Sequence, residues 1–198
     1  MEKVIRIKTP VTTKEIKKLR AKDNVLLTGE IYTARDAAHK RLIGLLKEGK
    51  RLPIDLNGHF IYYVGPAPAK PGYASGPAGP TTSYRMDPYT PQLLKLGLKG
   101  MIGKGTRSKE VIAAMKEYGA VYLAAVGGAA ALISKSIKKV DVVCYEDLGA
   151  EAIHRFYVED FPAIVVIDSE GNNLYETEPQ KYRLNSHTGS RNQQKDEN

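Results

Sequence analysis

The stretch "RSKEVIAAMKEYGAVYLAAV", residues 107–126, decides the fold class. Its first thirteen residues carry apolar side chains at helical spacing with Ser108 placed to cap the start, which predicts an amphipathic helix. The "AVYLAAV" that follows is a short, uninterrupted apolar run, the pattern of a strand buried on both faces. A helix feeding directly into such a strand is the repeating unit of an α/β domain. C-terminal to it, "GGAAALISKSI" predicts a helix of small residues. "KKVDVVCYE", "IHRFYVED" and "PAIVVIDSEGNNLY" predict three further strands, the last turning at Ser169 to Asn172.

The N-terminal half repeats the theme. An extended start is followed by a short helix opened by Thr12 or Thr13, with Glu15 behind it to complete the cap. "NVLLTGEIYT", residues 24–33, predicts a buried strand that turns at Gly29. "TARDAAHKRLIGLLKEGK" predicts a helix stopped at Gly49. "HFIYYV" begins as a strand and gives way to the long loop "GPAPAKPGYASGPAGPTTSYRMD", residues 65–87. A loop of that length in a compact domain is functional or disordered, and its tyrosines and lack of charge clusters favour function. "TPQLLKLGL" follows as a helix with Pro91 in its first turn, and "GMIGKG" as a short strand entering a glycine loop. The mixture predicts an α/β domain with parallel and antiparallel pairing over residues 1–177. Residues 178–198 are polar and aperiodic, the pattern of a mobile tail.

Composition narrows the function classes. The chain has 198 residues, 42% hydrophobic and 26% charged, enough for one domain with a full core. One cysteine, Cys144, excludes an internal disulfide and a cysteine-rich metal site built from this chain alone. No apolar run is long enough to span a membrane, and "MEKVIRIKTP" lacks a secretory pattern, so a cytoplasmic location is expected. The net charge of +8 is concentrated in residues 1–50, with thirteen Lys or Arg against six Asp or Glu. A solvated helix face explains part of that excess. A nucleic-acid-binding surface over residues 1–22 and the tail is an alternative, but no stacking aromatics are arranged to serve it.

Several chemistries are absent. "GLKGMIGKGTRS" is not a nucleotide phosphate loop, because Lys104 has Leu98 six residues before it and Gly105 directly after. No glycine fingerprint opens a helix after a strand. His39, His59, His154 and His187 show no metal-ligand spacing. What remains is a set of cations beside glycines at strand or loop ends: Arg35, Arg85 and Lys104. Free backbone N–H groups and helix dipoles at such positions favour small anions, and an arginine grips a carboxylate through two parallel bonds. Ordinary surface ion pairing is the competing reading for each, and a stand-alone anion-binding module is one further possibility.

"TGEIYTARDAAHKRL", "GPAGPTTSYRMD", "MIGKGTRS" and "FPAIVVIDSEGN", in that order, resemble the beta subunit, or C-terminal domain, of the class I iron–sulfur hydro-lyases, the fumarase and L-tartrate dehydratase family. The resemblance runs from about residue 3 to residue 175. It implies a swivelling β/β/α domain with a mixed sheet, paired with a cluster-bearing alpha subunit in an α2β2 assembly and inactive alone. The implied reaction is reversible hydration of fumarate to L-malate, with tartrate dehydration as the alternative. The implied cofactor is a [4Fe–4S] cluster whose open iron acts as Lewis acid, ligated by three cysteines of the alpha subunit and by none here. By resemblance, Thr81 is the base for the carbon-bound proton, Lys104 the catalytic lysine, and Arg35 and Arg85 the substrate-gripping arginines. Asp36 is expected to cap its helix or hold Arg35, and Thr82 to support the pocket; His39 and Met86 are expected to be packing residues. A threonine hydroxyl is a weak acid, so the base role requires positive charge close to it.

Overall fold

The computed structural model describes residues 4–69, 71–125 and 130–181. Strand β1 (Val4–Thr9) leads to the short helix α1 (Thr13–Ile16), whose start is fixed by the predicted capping box of Thr12 and Glu15. Strand β2 (Asn24–Thr33), helix α2 (Asp36–Lys47), strand β3 (Phe60–Tyr62), helix α3 (Thr90–Lys95), strand β4 (Gly100–Gly103), helix α4 (Lys109–Tyr118) and strand β5 (Val121–Ala125) follow. The opening stretch thus folds as predicted: Ser108 accepts a hydrogen bond from Val111 N–H and caps α4, which delivers β5.

Strands β2, β3, β4 and β5 pair in parallel, each joined to the next by a segment that contains a helix. Side chains alternate between two cores, as a doubly covered parallel sheet requires. Phe60, Tyr62, Ile102, Val121 and Leu123 enter one; Ile61, Tyr63, Met101 and Tyr122 enter the other, against helix residues Leu42, Leu93, Val111 and Met115.

Helix α5 (Ala130–Ser136) then leads to β6 (Ile137–Cys144), a 3-10 turn (Glu146–Glu151), the long strand β7 (Ile153–Ile167) and helix α6 (Leu174–Lys181). Strand β7 runs antiparallel to β6, β5 and β2. Because it joins β5 back to β2, the mixed sheet closes into a barrel-like layer that encloses the first core. This is the β/β/α arrangement expected.

Two local expectations need correction. The strand predicted to turn at Gly29 continues to Thr33 across a bulge. Gly29 has φ of +120°, and a side chain there would collide with the Thr9 carbonyl, so glycine marks a close approach, not an end. The separate strands "IHRFYVED" and "PAIVVID" are one strand. Its proline, Pro162, lies between the stretch paired with β6 and the stretch paired with β5, where the missing N–H breaks no ladder bond on that edge. Helix α6 runs into the first residues of the predicted tail; residues 182–198 lie outside the described residues.

Candidate active site

The carboxyl ends of β2, β3 and β4 lie side by side, and each carries part of the predicted set. Arg35 follows β2 as the residue that begins α2, in extended backbone. Beyond β3 the chain makes the long loop and returns: Thr81 N–H and its hydroxyl both donate to the Tyr63 carbonyl, at 2.7 and 2.9 Å. Lys104 follows β4, and its backbone forms a parallel bridge with Thr82. Ser83 N–H donates to the Lys104 carbonyl at 2.9 Å. Thr81 and Thr82 therefore lie in extended backbone between the ends of β3 and β4, and Arg85 emerges one 3-10 turn (Ser83–Met86) later. Ligands of open parallel sheets bind at such strand ends.

The loop that makes this return is pinned along its length. Ala67 N–H donates to the Pro77 carbonyl and Gly76 N–H to the Ala67 carbonyl, both at 3.2 Å, which folds the Gly/Pro run back on itself. The buried Tyr62 hydroxyl donates to the Ala78 carbonyl, and Ala78 is fully buried. Below Thr82, the buried Ser83 hydroxyl lies 2.9 Å from the Tyr122 hydroxyl, which donates to the Gly105 carbonyl. The two ends of the site are thereby tied to the floor of the parallel sheet.

The cations differ in what holds them. Arg35 Nη2 lies 3.3 Å from Glu151 Oε1, and its Nε is buried with no hydrogen-bond partner among the described residues. Arg85 Nη2 lies 3.4 Å from Asp36 Oδ2, an ion-pair distance without hydrogen-bond geometry. Asp36 is thus not the cap of α2, and the arginine it faces is Arg85, not its neighbour Arg35. Lys104 is exposed, and its ammonium has no protein partner among the described residues. Tyr84 is 60% exposed and so is not a core residue, while Met86 is buried as expected. Beside it, an open cleft of about 630 Å³ is lined by Tyr84, Pro88, Pro91 and Thr106.

Beneath this rim lies a second polar group that the sequence did not reveal. The Arg107 side chain is fully buried; it donates from Nε to Asp87 Oδ1 at 2.7 Å and from Nη2 to Thr90 Oγ1 at 2.8 Å. Its guanidinium lies over the Tyr63 and Tyr122 rings, 5.3 and 5.2 Å from their centroids, and Nη1 donates to the Tyr63 hydroxyl at 3.3 Å. Asp87 also accepts from Ser108 N–H at 2.6 Å, so one carboxylate ties the "RMD" turn to the start of α4. His39 is buried behind Arg35, bonded through Nδ1 to the Arg35 carbonyl at 2.8 Å. Burial pushes its pKa down to about 4, so the ring is neutral at physiological pH. It is a packing histidine, as expected, against the edge of Tyr63.

Metal ligation finds no support in these side chains. No group of three or more His, Cys, Asp or Glu that could hold a metal occurs among the described residues. Cys144 is half-buried, and burial raises its thiol pKa, which disfavours the thiolate that a cluster needs. No helix among the described residues is long and apolar enough to cross a membrane.

With the geometry in hand, the comparisons with known proteins agree on one family. The family model described as "Fumarase C-terminus" matches residues 1–178. The chain belongs to this family, as the beta-subunit or C-terminal-domain type of the class I fumarases and tartrate dehydratases. A Methanocaldococcus jannaschii protein provisionally named L(+)-tartrate dehydratase subunit beta is 44% identical over 172 residues, covering 84% of this chain and 88% of that protein. The Leishmania major mitochondrial fumarate hydratase 1 is 43% identical over 84% of this chain but only 31% of its own length. The aerobic class I fumarate hydratase of Escherichia coli is 45% identical over 76% of this chain and 28% of its own. This chain therefore matches about three tenths of the longer fumarate hydratases and most of the Methanocaldococcus jannaschii protein.

Proposed function

We propose that this chain is the beta subunit of a two-subunit fumarate hydratase, interconverting fumarate and L-malate at a site completed by a cluster-bearing alpha subunit. The observation that supports this reading best is the meeting of Thr81, Arg85, Lys104 and Arg35 at adjacent carboxyl ends of three parallel strands. A planar dianion needs two cationic grips at a spacing and a proton-handling group between them. Arg35 and Arg85 each keep guanidinium donors beyond the single carboxylate they face, so each can take a substrate carboxylate in the bidentate mode. Thr81 handles the proton at carbon: in hydration its hydroxyl releases to carbon the proton now donated to the Tyr63 carbonyl, and in the reverse direction its oxygen accepts it. The resulting alkoxide needs a neighbouring positive charge, and Lys104, whose backbone adjoins Thr82 and whose ammonium is uncommitted among the described residues, is assigned that task.

A [4Fe–4S] cluster does not fit the residues of this chain, and in this reading the alpha subunit supplies it. An α2β2 assembly and a cytoplasmic setting complete the proposal. A second reading, beta subunit of an L-tartrate dehydratase, has one observation in its favour. A relative matched over most of its own length carries a tartrate dehydratase name.

The test is fumarate hydration and L-tartrate dehydration by the two chains co-purified without oxygen, beside each chain alone. Fumarate turnover that requires both chains supports the first reading, and tartrate turnover supports the second. A complex with an intact cluster that is inert on both acids would overturn the hydro-lyase assignment.

A further inference from the structure

We infer that Glu151, on the turn between β6 and β7, is a positioning residue that sets Arg35 for the substrate carboxylate; this rests on the function proposed above. Its two carboxylate oxygens face different partners. Glu151 Oε2 accepts from Ala37 N–H at 3.1 Å, one of the unpaired donors in the first turn of α2, where the helix dipole favours a negative group. With one oxygen held there, the other faces Arg35 Nη2 at 3.3 Å. The carboxylate thus links the backbone of α2 to the side chain of the residue that begins it.

The turn that carries Glu151 is itself clamped. Arg41, one and a half helical turns along α2, donates from both terminal nitrogens to both oxygens of Asp147 and lies over the Tyr145 ring at 5.2 Å. The Ala150 carbonyl and Gly65 close the other side of Arg35. A β-carbon placed on Gly65 would lie 2.9 Å from Arg35 Nη1 and 3.0 Å from the Ala150 carbonyl, so glycine leaves the slot that the guanidinium occupies. The arginine is therefore bounded by Gly65 from the end of β3, by Ala150 and by Glu151. Freely hinged arginine loses much rotamer freedom on gripping an anion, and a side chain already confined loses less.

Arg85 is held by the same turn of α2 in a looser way, through Asp36. Two arginines fifty positions apart in sequence are in this manner both referred to the first three residues from Arg35 to Ala37. Glu151 is the member of this set contributed by the antiparallel half of the sheet.

The experiment is steady-state kinetics of the oxygen-free two-chain complex carrying Glu151→Gln, alone and combined with Arg35→Ala, with the unfolding midpoint of each variant recorded. A contact made equally in ground state and transition state changes KM and leaves kcat alone. The expected result is a KM for the dicarboxylate raised about tenfold, kcat within about twofold of the parent, and an unchanged unfolding midpoint. In the Arg35→Ala background the same substitution is expected to add nothing further. A KM that is unchanged or lowered by Glu151→Gln, or a rise that persists in full without Arg35, overturns the inference. Lowering in particular would make Glu151 a competitor for Arg35. If Glu151→Gln does not fold, Glu151→Asp, which keeps the charge and shortens the reach, replaces it under the same criteria. An inactive parent complex would instead overturn the proposed function.

Discussion

Two sets of arginines lie within one region of this molecule and meet opposite fates. Arg107 has a fully buried side chain, two hydrogen bonds under 3 Å to Asp87 and Thr90, and contacts with two aromatic rings. The Arg35 and Arg85 side chains are 24% and 38% exposed and face their carboxylates at 3.3 and 3.4 Å. Bonding each guanidinium nitrogen inside the protein, to Asp87, Tyr63 and Thr90, makes the first a fastener between the site loop and α4. Leaving donors over makes the others available to something from outside. The residue type is the same in the two cases; commitment of the donors separates them.

The comparison breaks most visibly at the fastener. Arg107→Ala leaves the half-buried Asp87 short of its ion-pair partner and empties a fully buried side-chain site, and is expected to cost about 3 kcal/mol of stability in urea unfolding of the chain. A loss below about 1 kcal/mol would remove the distinction. Thr81→Val comes next. It removes the hydroxyl but keeps shape, and is expected to lower kcat of the two-chain complex about a hundredfold or more while the unfolding midpoint holds. A drop of only several-fold would leave Thr81 as a hydrogen-bond donor and end its base role.

His39 lies between the two sets, and its effect is graded by pH. Its pKa in the folded chain, about 4, is below the ordinary value of 6.5, so between these values the unfolded chain binds the extra proton. The stability that its neutral form contributes is complete above pH 6.5 and is lost as pH falls from there through about 4, by up to roughly 1.4 kcal/mol per pH unit. His39→Asn is expected to flatten that part of the stability profile relative to the parent, as read from unfolding midpoints between pH 4 and 7. The smallest effect belongs to Ser108, beside Arg107. Ser108→Ala removes the cap of α4 for about 1 kcal/mol and is expected to leave KM unmoved.

Local signals carried much of this into the sequence. The capping box at Thr12 and Glu15, the cap at Ser108 and the apolar runs of β2 to β5 each depend on neighbours within a few positions, and each was legible. So were the positions of Arg35, Arg85 and Lys104 at strand or loop ends, whereas Thr81 was reached through the family resemblance alone. What was not legible depends on pairing between distant segments. Pro162 and Asp160, with φ of 49°, look locally like a break, and β7 runs through them because β2 pairs along both sides of the irregularity. The burial of Arg107 depends on Asp87 from another turn, and no spacing rule relates them. Glu151 has no motif at all; only closure of the sheet brings it to the start of α2. Asp36 looked like a cap by position, and the structure turns it toward Arg85, far along the chain, because the 3-10 turn after Thr82 brings that arginine there.

The most direct test of the division between committed and available arginines is the KM of the two-chain complex carrying Arg35→Ala or Arg85→Ala, taken with the unfolding midpoint of the same proteins. Each lost charge-assisted grip is worth about 1.5–3 kcal/mol, so KM for the dicarboxylate is predicted to rise at least tenfold while stability changes by less than about 1 kcal/mol. A fall in stability with KM unmoved would contradict it, and would make these arginines fasteners like Arg107.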